Sequence, residues 1–171
     1  MENLKKAIRD IPDFPKKGII FKDITPLLRD PGLFKEAVNH LCEYFKDKRI
    51  DVVASVESRG FILGTTVAYN LGAGFVPVRK KGKLPYKTYS ATYALEYGKD
   101  TLEVHQDAIK SGDRVLIVDD LLATGGTVGA AIELVNKMGG EIAGIGFLIE
   151  LMFLNGREKN KGYDMFSLIK F

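Results

Sequence analysis

One thirteen-residue stretch limits what this chain can fold into. Val115–Val118 are four apolar, β-favouring residues that run straight into Asp119 and Asp120. A short Thr/Gly loop follows, Ala123–Thr127, and then Val128–Val135 places apolar residues at helical spacing. An apolar run bounded by a turn reads as a strand buried on both faces, the signature of a parallel sheet covered by helices. The predicted order is therefore buried strand, acidic pair, glycine-rich turn, helix. Open α/β sheets hold their ligands at the carboxyl ends of such strands. Gly125 and Gly126 let the backbone come close to a ligand, and Thr124 and Thr127 add hydroxyl donors. The following helix offers unpaired N–H groups and a positive dipole end, which suit a phosphate. Ionised Asp119 and Asp120 are acceptors only. A ribose 5-phosphate meets both demands, its diol facing the acids and its phosphate the loop. A plain strand-to-helix connection is the competing reading. A Walker loop and the Gly-x-Gly-x-x-Gly fingerprint are excluded by the residues present.

The same unit recurs earlier. Asp51–Val56 reads as a buried strand, Glu57-Ser58-Arg59-Gly60 as a turn, Phe61–Asn70 as a helix and Phe75–Val78 as a further strand. Two ligand-type turns then fall on one rim of one sheet. Arg79-Lys80-Lys81-Gly82-Lys83 puts four cations in five residues after the third strand. A charge run is usually a solvated loop, but on that rim it suits a pyrophosphate. Nucleic acid would need more basic surface and a recognition motif.

Around this centre the reading is plainer. Leu4, Ala7, Ile8 and Ile11 predict an amphipathic helix over 3–11, ended by Pro12. Residues 13–26 read as loop with an extended piece at Ile19–Phe21, whose apolar side chains fill either core or a slot for a flat ligand. Asp30-Pro31 predicts a helix start, with Phe34, Val38, Leu41 and Phe45 on one face. His40 and Cys42 read as structural. Residues 86–97 are the least regular stretch, rich in Tyr and Thr, and 84–97 is expected to act as a lid. Leu102 and Val104 predict a half-exposed strand with His105 outward. Ile142–Ile149 and Phe166–Ile169 read as the last strands, with Gly156–Lys159 a solvated loop between them.

The 171 residues predict one domain, and no apolar run reaches a membrane span. The start lacks the apolar core of a signal peptide. The single cysteine suits a reducing cytoplasm, and the net charge of +3 is mild. Neither nucleic acid nor membrane is an expected partner.

The 115–127 block resembles the phosphoribosyl-pyrophosphate motif of the type I phosphoribosyltransferases. With Asp13-Phe14-Pro15 to Thr25-Pro26, Glu57–Phe61, Arg79–Pro85 and Leu95–Lys99, the chain resembles the adenine phosphoribosyltransferase family nearly end to end. That resemblance implies a parallel five-stranded sheet flanked by helices, with a small amino-terminal hood over about 1–30 and a core over 31–171. It implies that adenine and phosphoribosyl pyrophosphate give AMP and pyrophosphate with Mg²⁺, held mainly through the pyrophosphate. Ile20 and Phe21 would clamp the base. Arg59, Arg79 and Lys83 would face pyrophosphate or base, Asp119 and Asp120 the ribose hydroxyls, and Ala123, Thr124, Gly125, Gly126 and Thr127 the 5-phosphate. Glu96 would handle the proton at the base, with Tyr97 beside it. Lys22 and Tyr97 would also bind substrate, with Lys22 standing where the family often has Arg; a lysine keeps the charge and loses the bidentate fork. A homodimer is also implied. Another purine base is the main alternative substrate, and a ligand-sensing regulator on the same fold a lesser one.

Overall fold

The computed structural model describes residues 1–94 and 98–171. Helix α1 (Glu2–Lys6) stops well short of the predicted residue 11. Strand β1 (Arg9–Pro12) follows and pairs antiparallel with β2 (Ile20–Asp23), so Ile11 sits opposite Phe21. The helical spacing was right for Leu4 and Ile8, which are buried, but the ribbon claims the chain after Ile8. Residues 24–26 are likewise not all loop, because α2 spans Thr25–Arg29. Helix α3 (Pro31–Phe45) starts where predicted. The Asp30 carboxylate accepts from the Gly32 and Leu33 amides at 2.9 and 3.0 Å, and Val38, Leu41 and Phe45 face inward.

Strand β3 (Val52–Val56), helix α4 (Arg59–Leu71) and strand β4 (Gly74–Lys80) form the first strand-helix-strand unit, with β3 and β4 paired in parallel. Strands β5 (Thr88–Ala94) and β6 (Lys99–His105) come next. Then follow β7 (Arg114–Leu122), α5 (Gly126–Lys137), β8 (Glu141–Glu150) and β9 (Met165–Lys170), with two short 3₁₀ turns, Met152–Leu154 and Glu158–Asn160, before β9.

The main sheet has seven strands rather than five, in the order β5-β6-β4-β3-β7-β8-β9. The five from β4 to β9 are the parallel set, and β6 and β5 add antiparallel at the β4 edge. The stretch expected to be least regular is thus partly a strand. Thr88–Ala94 pairs with Lys99–His105 along its whole length, and Tyr89 and Tyr93 pack towards α5. Alternating Thr, Tyr and Ala is β-favouring composition, which the lid reading undervalued.

The buried strands feed both faces by their two-residue period. Val115 and Ile117 join Ala54, Val78, Val104 and Phe147 under α5, while Leu116 and Val118 join Val53, Leu63, Leu148 and Leu168 under α3 and α4. Leu4, Ile8, Ile24 and Leu27 belong to this second cluster, so the amino-terminal segment shares the core of the sheet. Among the described residues, no helix is long and apolar enough to cross a membrane.

Candidate functional site

Strand β7 does not stop at Val118. It runs on to Leu122 and carries both acids, with Asp119 opposite Phe147 of β8. Successive strand residues point to opposite faces. The two carboxylates therefore differ in surroundings, although both line a cleft of about 360 Å³ together with Glu57, Ser58, Arg59, Lys80, Tyr93, Ala123 and Thr127. Gly60 at the start of α4 lets that helix close on β7, since a Cβ there would lie 2.5 Å from Asp119 Oδ1. Asp119 Oδ1 also accepts from the Asp120 amide at 2.9 Å.

Burial pushes the Asp119 carboxyl well above the usual range, and the neighbouring Asp120 adds to it. Burial raises Asp120 as well, against the pull of Arg59, whose Nε lies 2.9 Å from Asp120 Oδ2. That contact is an ion pair out of line for a hydrogen bond. Arg59 Nη1 and Asp120 Oδ2 are buried without a hydrogen-bond partner among the described residues. Unsatisfied buried polar atoms at a cleft wall are the mark of a site built for something else.

The second turn is charged the other way. Burial pushes the Glu57 carboxyl up, but the Lys80 amide (2.7 Å), Lys83 Nζ (3.3 Å) and Arg79 more than offset it, and the carboxyl is held below its ordinary value. Arg79 Nε and Nη2 lie 3.3 and 3.5 Å from Glu57. Arg79 and Lys83 are thus gathered onto one acid, while the Lys80 ammonium donates to Asp100 at 2.7 Å, and Gly82 between them is fixed by donating to Glu103 at 2.9 Å. The Glu57–Ser58 peptide bond is cis.

Arg59 ties the amino-terminal ribbon to this centre. Its guanidinium lies 4.8 Å from the centroid of the Phe21 ring, and Phe14 meets that ring edge-on at 5.2 Å. Ile20 is 54% exposed beside it, an apolar side chain with a face to offer. Lys22 points elsewhere. Its ammonium donates to Asp10 at 2.6 Å and sits 3.8 Å from the Phe171 ring centroid, because β2 turns alternate side chains to opposite faces. It anchors the ribbon to the carboxyl end of the chain and does not line the cleft.

The loop Ala123–Thr127 closes the other end of the cleft, with Thr124, Gly125 and Gly126 around a small cavity of about 60 Å³. Gly125 has φ +81° and stands at the start of α5, where no side chain caps the first amides. Uncapped N–H groups at a helix start are suited to an anion. Tyr93 packs on Gly126, donates to Asp100 at 3.3 Å and bonds Thr127. Burial raises its phenol, against the lowering effect of Thr127.

The structure thus brings Phe21, Arg59, Arg79, Lys83, Asp119, Asp120 and Ala123–Thr127 to one rim and leaves Lys22 out. Glu96 and Tyr97 lie outside the described residues. Sequence reasoning missed Glu57 as the partner of the basic run and Tyr93 as a wall of the cleft. It also misread Gly156–Lys159. Arg157 donates to buried Glu150 at 3.1 and 2.6 Å, and Asn160 donates to the Gly125 carbonyl in the glycine loop at 3.0 Å. A Glu at the end of an apolar strand with an Arg seven residues on was the available signal.

Known proteins share this arrangement. The phosphoribosyl transferase domain model matches residues 27–171. An adenine phosphoribosyltransferase from Halothermothrix orenii is 60% identical over 167 residues, covering 98% of each chain. The crystal structure of adenine phosphoribosyltransferase from Thermoanaerobacter pseudethanolicus superposes with a TM-score of 0.97 at 56% identity, covering 99% of both chains. The Saccharomyces cerevisiae enzyme, complexed with adenine and an imino-altritol bisphosphate, gives 0.92 at 46% identity over 98% of this chain and 97% of that one. With identity of this order across nearly the whole length, and the acid pair, glycine loop and cationic turn assembled on one rim, the chain belongs to the adenine phosphoribosyltransferase family.

Proposed function

We propose that this chain transfers the phosphoribosyl group of phosphoribosyl pyrophosphate to adenine, giving AMP and pyrophosphate, as a cytoplasmic purine-salvage enzyme. One observation carries the reading: a single cleft is lined by the acid pair, Arg59, Lys80 and both ends of the glycine loop, with Arg79 and Lys83 drawn to its wall by Glu57 and Phe21 against Arg59. Ala123–Thr127 seats the 5-phosphate, and Asp119 and Asp120 accept from the ribose diol. Arg79 and Lys83 take up the charge that builds on the leaving pyrophosphate. The flat base lies against Phe21 and Ile20, which form the hood. Holding base and sugar in line supplies much of the rate. Glu96 handles the proton at the base, with Tyr97 beside it.

Mg²⁺ fits these residues as a substrate-borne ion. Among the described residues no three His, Cys, Asp or Glu side chains gather into a cage. Mg²⁺ is commonly held by one or two carboxylates plus phosphate oxygens and water, which Asp119, Asp120 and a pyrophosphate can provide. Bound there, it would neutralise charge on the leaving group. The burial that raises both acids favours such a countercharge.

Incubation with phosphoribosyl pyrophosphate, Mg²⁺ and each purine base, with nucleotide measured, is the test. AMP should form fastest, and faster product from hypoxanthine, guanine or xanthine would replace adenine as the substrate. In the same assay Glu96→Leu should lower kcat by about 10²–10⁴-fold. An unchanged rate would remove Glu96 from the chemistry.

The working form in this reading is a homodimer. Helix α4, which opens at Arg59, carries Ile62 at 40% and Tyr69 at 86% exposure on one face, an apolar surface of the kind that pairs. Light scattering should show a dimer that Ile62→Glu with Tyr69→Glu converts to monomer, and an active parent monomer would refute the pairing.

A further inference from the structure

The segment between β8 and β9 lies behind the phosphate loop, and its contacts are too specific for a solvated connection. Asn160 Nδ2 donates to the carbonyl oxygens of Gly125 (3.0 Å) and Gly156 (3.2 Å), which uses both amide hydrogens. The Gly125 oxygen also accepts from the Gly129 amide at 3.0 Å, so this one carbonyl joins the first turn of α5 to the segment behind it. The two backbones meet without room for side chains. A Cβ on Gly156 would overlap the Ala123 oxygen and lie 2.9 Å from the Gly125 nitrogen, and one on Gly125 would lie 2.7 Å from Asn160 Nδ2.

The segment is itself held from the core. Arg157 donates to the Met165 oxygen at 2.7 Å, to Ser167 Oγ at 3.1 Å and to both Glu150 oxygens. Glu150 is 3% exposed and ends β8 directly beside Leu122, the last residue of β7. The Arg157 hydrogen bond, working against burial, holds the Glu150 carboxyl below its ordinary value. A continuous path thus runs from the sheet through Arg157 and Asn160 to the peptide that shapes the loop.

We propose that Asn160 is a positioning residue for the 5-phosphate seat: it fixes the Gly125 peptide so that the free amides of Gly126 and Thr127 converge on one anion, and Arg157 holds it there. The proposal rests on the reading of Ala123–Thr127 as that seat. Asn160 acts through Gly125 and makes no demand on the base, so its loss should divide the two substrates.

In Asn160→Ala, the KM for phosphoribosyl pyrophosphate should rise about tenfold, the scale of one well-placed hydrogen bond, while that for adenine moves by less than about twofold. Titration calorimetry with ribose 5-phosphate should show a matching loss of affinity, which reports the seat whatever base the enzyme accepts. Asn160→Ser, which retains a single donor, should fall between parent and Asn160→Ala, and it carries the test if the alanine variant does not fold. Unchanged affinity for ribose 5-phosphate, or an equal rise in both KM values, overturns the proposal. A parent that binds ribose 5-phosphate but makes no AMP refutes the proposed reaction and leaves this inference standing. A parent that does not bind ribose 5-phosphate refutes the seat and the inference with it.

Discussion

After β3 the chain turns into α4 through Glu57 and Ser58, and after β7 it turns into α5 through Ala123, Thr124 and Gly125. The two strands are neighbours in the sheet and both turns open on the same cleft. Their electrostatics are opposed. At the first, one acid is surrounded by Arg79, Lys83 and the Lys80 amide and is held ionised. At the second, two acids share Arg59 alone among the described residues and are pushed towards protonation by burial. The acid of the first turn is outnumbered by cations before any substrate arrives, although Arg79 Nε finds no hydrogen-bond partner among the described residues. The second carries an uncompensated demand for donors or a cation. The acid of a strand-turn-helix unit can therefore be satisfied by its neighbours or left poised for a ligand, depending on which charges those neighbours deliver.

The strongest way to break this contrast is to neutralise the poised turn. Asp119→Asn with Asp120→Asn should weaken phosphoribosyl pyrophosphate binding by about 10²–10⁴-fold, the scale of two charge-assisted hydrogen bonds. Circular dichroism should show the fold retained. Calorimetry that finds parent affinity would mean that the acids do not hold the diol.

Removing the acid of the satisfied turn should cost stability instead. Glu57→Gln leaves Arg79 and Lys83 without their countercharge, worth about 1–3 kcal/mol near neutral pH. The folded Glu57 carboxyl lies below its ordinary value, so its contribution is present above that value and fades as pH falls through the folded pKa. Chemical denaturation of parent and variant should therefore differ at pH 7 and converge in strong acid. A gap that does not change with pH would contradict the ion-pair account.

The smallest effect has the opposite sign. The folded Asp119 carboxyl lies above its ordinary value, so its ionised form is a burden at neutral pH and the burden lifts as pH falls. Asp119→Asn should raise Tm at pH 8 by about 2–4 °C, the shift that ~1 kcal/mol produces in a chain of this size. The gain should shrink towards acid pH. A lower Tm across that range would show that Asp119 stabilises the fold and that the turn is not poised. Activity sites built at a cost in stability commonly behave in the predicted way.

Much of this was legible in the residues. Val115–Val118, Asp51–Val56 and Phe75–Val78 were recognisable as buried strands because an apolar run needs cover on both faces. Asp30-Pro31 marked a helix start through local capping chemistry alone. The amino-terminal segment was less readable. Ile8 and Ile11 fit a helical face, yet Arg9–Pro12 is a strand, because its partner Ile20–Asp23 is eleven residues away from Arg9 at the nearest end. A pattern window cannot see such a pairing. The same holds for Thr88–Ala94, which is a strand through its register with Lys99–His105.

The sequence by itself determined the strand-turn-helix units, the acid pair, the glycine loop and the basic run. Each is a local matter of side-chain period, backbone freedom and charge spacing. Only the tertiary structure decided which charges meet. Glu57 collects Arg79 and Lys83 from 22 and 26 residues on, Arg59 bridges Phe21 and Asp120, and Lys22 turns away to Asp10 and Phe171. The loop behind Gly125 is held by an arginine on a buried glutamate. Coulomb and hydrogen-bond energies act over a few ångströms of space, and distances along the chain do not set them.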